Sequence, residues 1–293
     1  MTIDHRATQT IDRLRREHGL WQSTAAVRLL QSGVENITYR IGDDHILRLG
    51  RERGACGDSI RREADLLRRI AEVSTVPVPF PIVGDPVAGV LLYRALPGEP
   101  ALLHPELLDL GNIRRGIGEL ISALRRTPID DLDVPVDVYP LTGWLRDAQA
   151  DFLAIRGHLS QDRRRAVEHF LNSPPPAETS ERLLSHNDLG AEHLLVDPVD
   201  GRLCGVIDWT DAAVTDPARD LGLPYRDLGA EVTLPVAAAV GALDPADLDR
   251  IVFHARCKWI EDLRYAVADP DARAAYRRNA ERTFSQTFGD QAG

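Results

Sequence analysis

Two short apolar runs near the middle of the chain constrain its fold most. The first is LLV at 194–196, inside HNDLGAEHLLVD; the second is Val206–Ile207, inside LCGVIDW. Between them lies DPVDGRL, which is turn material. Two strands joined this way form a hairpin, and its ends would bring His193 and Asp208 together. A neutral imidazole nitrogen and a carboxylate can share a divalent cation. Asp188 falls on the loop ahead of the hairpin, where a side chain can orient a hydroxyl or act as a base. On spacing alone, a polar turn followed by a strand also accounts for Asn187, Asp188 and Gly190, and His193 is then only a strand-end residue.

The flanking sequence divides near residue 94. Ahead of it, residues 1–19 read as a helix with Ile3, Ile11 and Leu14 inward. Ile37, Tyr39 and Ile41 alternate with polar residues, GDD makes a turn, and Ile46 and Leu49 continue the alternation, so two or three antiparallel strands are expected. Residues 51–58 read as a loop. Ser59 would cap a helix whose inner face is Ile60, Ala64, Leu67 and Ile70. STVPVPFPIVG reads as extended and GVLLYRAL as a strand. After residue 100 the pattern turns helical, with Leu107, Leu110, Ile113, Ile117, Leu120, Ile121 and Leu124 at three- and four-residue spacing. Residues 143–172 and most of the chain after Asp208 are also helical in pattern.

A length of 293 residues with 43% hydrophobic composition supports a large core and suggests two domains. The net charge of -10 offers no general attraction to a phosphate backbone, so a neutral or cationic small molecule suits the chain better than nucleic acid. Cys56, Cys204 and Cys257 form no CxxC pair, which fits a reduced cytoplasm. The first twenty residues lack the apolar core of a signal peptide, and no run reaches membrane-spanning length. Lys258 is the one lysine, and no GxxxxGK[ST] loop exists, which excludes a P-loop enzyme.

HNDLGAEHLLVD followed by GVIDWTDAAVTDPARDLG closely resembles the aminoglycoside phosphotransferase family, over about residues 20–265. The resemblance implies an α+β, two-lobed, protein-kinase-like fold. A small antiparallel-sheet N-terminal lobe (1–94) would bind nucleotide, and a larger, mostly helical C-terminal lobe (95–293) would hold the catalytic loop and acceptor site. It implies a monomer that moves the γ-phosphoryl of ATP or GTP to a hydroxyl of a small molecule. Magnesium, or manganese, would assist. In that reading Asp188 orients the acceptor, His186 braces the loop, and His193 and Asp208 hold metal. Asp216 and Asp220 would support the loop. Gly33, Arg48, Glu63, Tyr93, Arg94 and Ala95 would serve the nucleotide, Arg48 standing where the family keeps a lysine and pairing with Glu63. Asp211, Asp227, Glu231, Glu261 and Asp262 are candidates for the acceptor site, because acids suit polyamines. An aminoglycoside antibiotic leads as acceptor; a macrolide, a peptide antibiotic, choline or a sugar derivative stays open. So do a non-catalytic kinase-like binding protein and a metal-dependent hydrolase built on the same acids.

Overall fold

The computed structural model describes residues 3–32, 36–51 and 57–289. It has the two-lobed α+β architecture, an N-terminal lobe built on an antiparallel sheet and a mostly helical C-terminal lobe. As compact units, the first comprises the described residues up to Val73, with Pro77–Leu96 and Pro128–Asp133; the second comprises Ser74–Val76, Pro97–Thr127 and the chain from Val134 on.

The first unit opens with α1 (His5–His18). Asp4 caps it by accepting from the Ala7 N–H at 2.8 Å, and Gly19 ends it in the left-handed region. Strands β1 (Val27–Ser32), β2 (Asn36–Ile41) and β3 (His45–Gly50) form an antiparallel meander; α2 (Gly57–Val73), β4 (Pro81–Asp85) and β5 (Val90–Arg94) complete the unit. Sheet order is β1-β2-β3-β5-β4. The two-residue period sorts β3 and β5 between faces. Leu47, Leu49, Val90 and Leu92 pack with Ala7, Ile11 and Leu14 of α1, while Ile46, Leu91 and Tyr93 pack with Ile60 and Ala64 of α2. β3 is therefore buried along its whole length. α2 starts two residues before Ser59, with Asp58 in its first turn, where a carboxylate favours the dipole. The later segment 128–133 returns to α2: Arg69 donates to the Pro128 carbonyl at 3.0 Å and pairs with Asp131 at 2.8 Å, and Arg61 pairs with Asp133 at 3.0 Å.

The second unit contains β6 (Glu99–Pro100), α3 (Leu110–Arg126), α4 (Leu141–Ile155), α5 (Gln161–Leu171), β7 (Leu183–Ser185), β8 (Leu194–Val196), β9 (Leu203–Val206) and β10 (Ala213–Thr215), then helices α6 (Arg219–Leu228), α7 (Ala230–Ala239), α8 (Pro245–Ala268) and α9 (Ala274–Phe288). α3 begins after Leu107, which is exposed. Asp109 caps the helix by accepting from the Asn112 N–H, while its own N–H goes to the Gly201 carbonyl at 3.1 Å. α8 opens on a capping box between Asp244 and Asp247, with proline in its first turn. It packs against α4, α6 and α9 around Phe152, Phe253, Trp259 and Phe288. No helix among the described residues is long and apolar enough to cross a membrane.

Candidate active site

The hairpin forms as the spacing requires. β8 and β9 pair with Leu194 opposite Val206, and the ladder runs one residue further through the Ile207 N–H to the His193 carbonyl. His193 and Asp208 thus stand side by side, Nε2 to Oδ2 at 3.6 Å. Asn187 and Asp208, at φ 71° and 61°, are the non-glycine residues with positive φ among those described. Both kinks fall at the site, where the chain must turn sharply to present neighbouring side chains.

His186 lies under the loop, fully buried. Its Nε2 donates to the Ile207 carbonyl at 3.0 Å and its Nδ1 accepts from the Asp188 N–H at 3.3 Å. Burial first, then the charge on His193, pushes its pKa down to about 4, so the ring is a neutral brace. α6 holds the same loop from below. Asp220 accepts from the N–H groups of His186 (3.1 Å) and Asn187 (2.8 Å), and burial pushes its pKa up to about 6 against those bonds. Asp227 accepts from the Ala191 N–H at 2.8 Å and from Asn279, and pairs with the fully buried Arg226. Arg226 also meets Asp262 at 2.6 Å and Glu192 at 3.3 Å. Asp227 and Asp262, read from sequence as acceptor acids, are therefore placed in this internal ion network and not on a pocket wall. Glu231 is exposed on α7 and also stands away from the pocket.

A pocket of about 580 Å³ opens beside the loop, lined among others by Asp137, Trp144, Asp147, Asp151, Asp211, Lys258 and Glu261. Of the five sequence candidates, Asp211 and Glu261 reach it. Asp137 is paired with Arg219, Asp151 with Arg264, and Asp147 accepts from the Tyr139 hydroxyl at 2.6 Å. Burial, followed by the charges of Asp188 and Asp208, raises the Asp211 pKa. Asp188 has a different balance. Burial alone would raise its pKa, but Lys258 foremost, then His193, hold it below the usual range, so it is ionised near neutral pH. Asp137, Trp144, Asp147 and Asp151, pocket residues that the sequence did not single out, come from the approach to α4 and from α4 itself. Asp147 and Asp151 carry a readable signal, since a four-residue spacing puts both on one helix face beside Trp144.

In the first unit, Arg48 of β3 and Glu63 of α2 form a buried ion pair. Tyr93 is buried on the α2 side of the sheet; Arg94 is exposed opposite His45; the Ala95 N–H is committed to the Asp44 carbonyl at 2.8 Å. Gly33 lies outside the described residues.

The fit to a metal ion follows from His193. Its Nδ1 lies 2.8 Å from the Asp188 carbonyl oxygen, which can only accept, so the proton of a neutral ring belongs there and the Nε2 lone pair faces Asp208. Burial would lower this pKa, but Asp188, Glu192 and Asp208 outweigh it and raise it to about 9, so a cation at Nε2 displaces a proton. Among the described residues no three His, Cys, Asp or Glu side chains gather as a metal cage. Two donors suit an ion that brings further oxygen ligands on a phosphate chain.

The model of the phosphotransferase enzyme family, APH, matches residues 26–254. The chain belongs to this family. Viomycin phosphotransferase of Streptomyces vinaceus is 26% identical over 244 residues, covering 79% of this chain and 84% of that protein. The fold is shared with the GDP and kanamycin complex of APH(2'')-IIIa (TM-score 0.71, 20% identity, 96% of this chain and 99% of that one). It is shared also with macrolide 2'-phosphotransferase type I (TM-score 0.62, 20% identity, 97% and 99%). As an APH-family member, the chain is a nucleotide-dependent phosphotransferase.

Proposed function

We propose that the chain transfers the γ-phosphoryl group of ATP or GTP to a hydroxyl of a cationic antibiotic, an aminoglycoside in the first instance. The carrying observation is the placement of Asp188 beside the His193–Asp208 pair, next to a pocket rich in carboxylates. Asp188 takes a hydrogen bond from the acceptor hydroxyl and aims its oxygen at phosphorus. The new oxygen–phosphorus bond forms as the bond to the nucleoside diphosphate breaks, and the hydroxyl proton leaves towards Asp188. His193 Nε2 and Asp208 would hold magnesium or manganese, which when bound neutralises charge on the transferred group. Arg48, kept in place by Glu63, would serve the nucleotide phosphates. The similarity to viomycin phosphotransferase favours a second acceptor, viomycin.

The test is coupled nucleotide turnover with ATP and with GTP against kanamycin, gentamicin, viomycin and a macrolide, with mass spectrometry for a phosphate adduct. An adduct on a cationic antibiotic supports the reading. Phosphate release that ignores the acceptor, or adducts confined to the macrolide, overturns it.

A further inference from the structure

Lys258 is the one lysine among 35 basic residues. It lies on α8 with a side chain only 19% exposed. Its Nζ is 3.5 Å from Asp188 Oδ1, 3.1 Å from Glu261 Oε2 and 5.5 Å from the centroid of the Trp144 ring. The three partners come from the loop, the next turn of α8 and α4. Trp144 is itself fixed, with Arg219 at 4.7 Å from its centroid and His254 edge-on at 5.5 Å. The other oxygen of Asp188, Oδ2, faces His193 Nδ1 at 3.5 Å. Each carboxylate oxygen thus has its own neighbour.

We infer that Lys258 is the positioning residue for Asp188. Its ammonium holds the carboxylate in the orientation that receives the acceptor hydroxyl, and it offsets the negative charge that the phosphoryl group brings towards that carboxylate. The inference rests on the phosphotransfer reading above.

The fold does not need this contact. The loop backbone is already tied by Asp220 at residues 186 and 187 and by Asp227 at residue 191. On α8 itself, Glu261 supplies the ammonium with a partner one turn away. Holding a strongly hydrated primary ammonium where its side chain is only 19% exposed costs part of its hydration, which the two carboxylates and the Trp144 ring must offset. The chain uses arginine for every other fixed positive charge. Lysine differs in being a compact, three-donor point charge, which can serve Asp188, Glu261 and an incoming phosphoryl oxygen in turn, where a planar fork would commit to one geometry. Between Asp188 and His193 the loop supplies no lysine or arginine, and the ammonium beside Asp188 comes from α8.

The experiment uses the full chain and the acceptor and nucleotide found active. In Lys258→Met, kcat falls by about 10²-fold, the scale for losing one electrostatic contact to the reacting groups. KM for both substrates stays within about threefold, the signature of an interaction used in the transition state. The melting curve stays close to wild type. Lys258→Arg restores at least about tenfold of the lost kcat, and ethylammonium restores part of the activity of Lys258→Ala. A Met variant at wild-type kcat, a loss confined to KM, or no recovery by either route overturns the inference. A second reading needs no acceptor. Labelling lysine with ¹⁵N at Nζ marks a single side chain, and its resonance should move on Asp188→Asn; an unmoved resonance overturns the contact. Failure of the wild-type chain to phosphorylate any acceptor would strike the functional reading, whereas the resonance speaks to Lys258 alone.

Discussion

Asp188 and His193 stand 3.5 Å apart, yet their surroundings give them opposite tasks. Asp188 stays ionised because cations surround it; His193 keeps Nδ1 on a carbonyl and turns Nε2 to Asp208. Replacing Asp188 by Asn keeps its volume and removes its charge. We expect kcat to fall by roughly 10²-fold or more, in the range for a positioned acid–base group. The melting curve should stay near wild type, since Glu261 still meets the Lys258 ammonium. Kinetics with a validated acceptor and a thermal melt check this; near wild-type kcat would remove Asp188 from the chemistry. For His193 the expectation concerns metal choice. Imidazole is a poorer ligand for hard magnesium than for softer divalent ions. Manganese or cobalt should therefore support activity at least as well as magnesium, and His193→Asn should stay active while its preference moves to magnesium. Metal titrations of kcat in the two proteins decide it, and an unchanged ranking would mean that His193 does not hold the ion.

The hairpin of β8 and β9 was readable because all its determinants are local: two apolar runs, a turn between them and polar residues at the ends. The β2–β3 meander was readable for the same reason, through alternation about GDD. The supports of the loop were not. Asp220 lies 34 residues from His186, and Asp227 lies 36 from Ala191, so nothing local marks either as a loop anchor. An acid on a helix looks the same in sequence whether it faces solvent or a buried arginine, which is why Asp227 and Asp262 read as acceptor contacts and fold into the Arg226 network. The Arg48–Glu63 pair joins β3 to α2 across fifteen residues, and both side chains are buried. Removing either partner takes a buried counter-charge from the other, which costs about 3 kcal/mol or more. Arg48→Met and Glu63→Gln should each lower stability and weaken nucleotide binding, and the double variant should lose less than the sum. Urea denaturation and nucleotide titration of the three variants measure this; additive losses would show two independent residues.

For the molecule as a whole, a net charge of -10 and an acid-lined pocket give a cationic acceptor a favourable field. The kcat/KM for such an acceptor should fall as salt rises, and fall less steeply in an Asp147→Asn/Asp151→Asn variant. The two salt series at saturating nucleotide are the check, and equal slopes would remove these acids from acceptor capture. The pocket escaped the sequence because its walls come from segments between Pro135 and Arg264 that meet only in the folded second unit. The units themselves are interleaved along the chain: residues 128–133 belong to the first although α3 precedes them, and residues 74–76 belong to the second. This bears on how such proteins can be recombined. A chimera with one crossover near residue 96 would take its N-terminal part from one parent and the segment facing Arg61 and Arg69 from the other. Exchange that respects the architecture needs a second graft, carrying 128–133 along with its own α2.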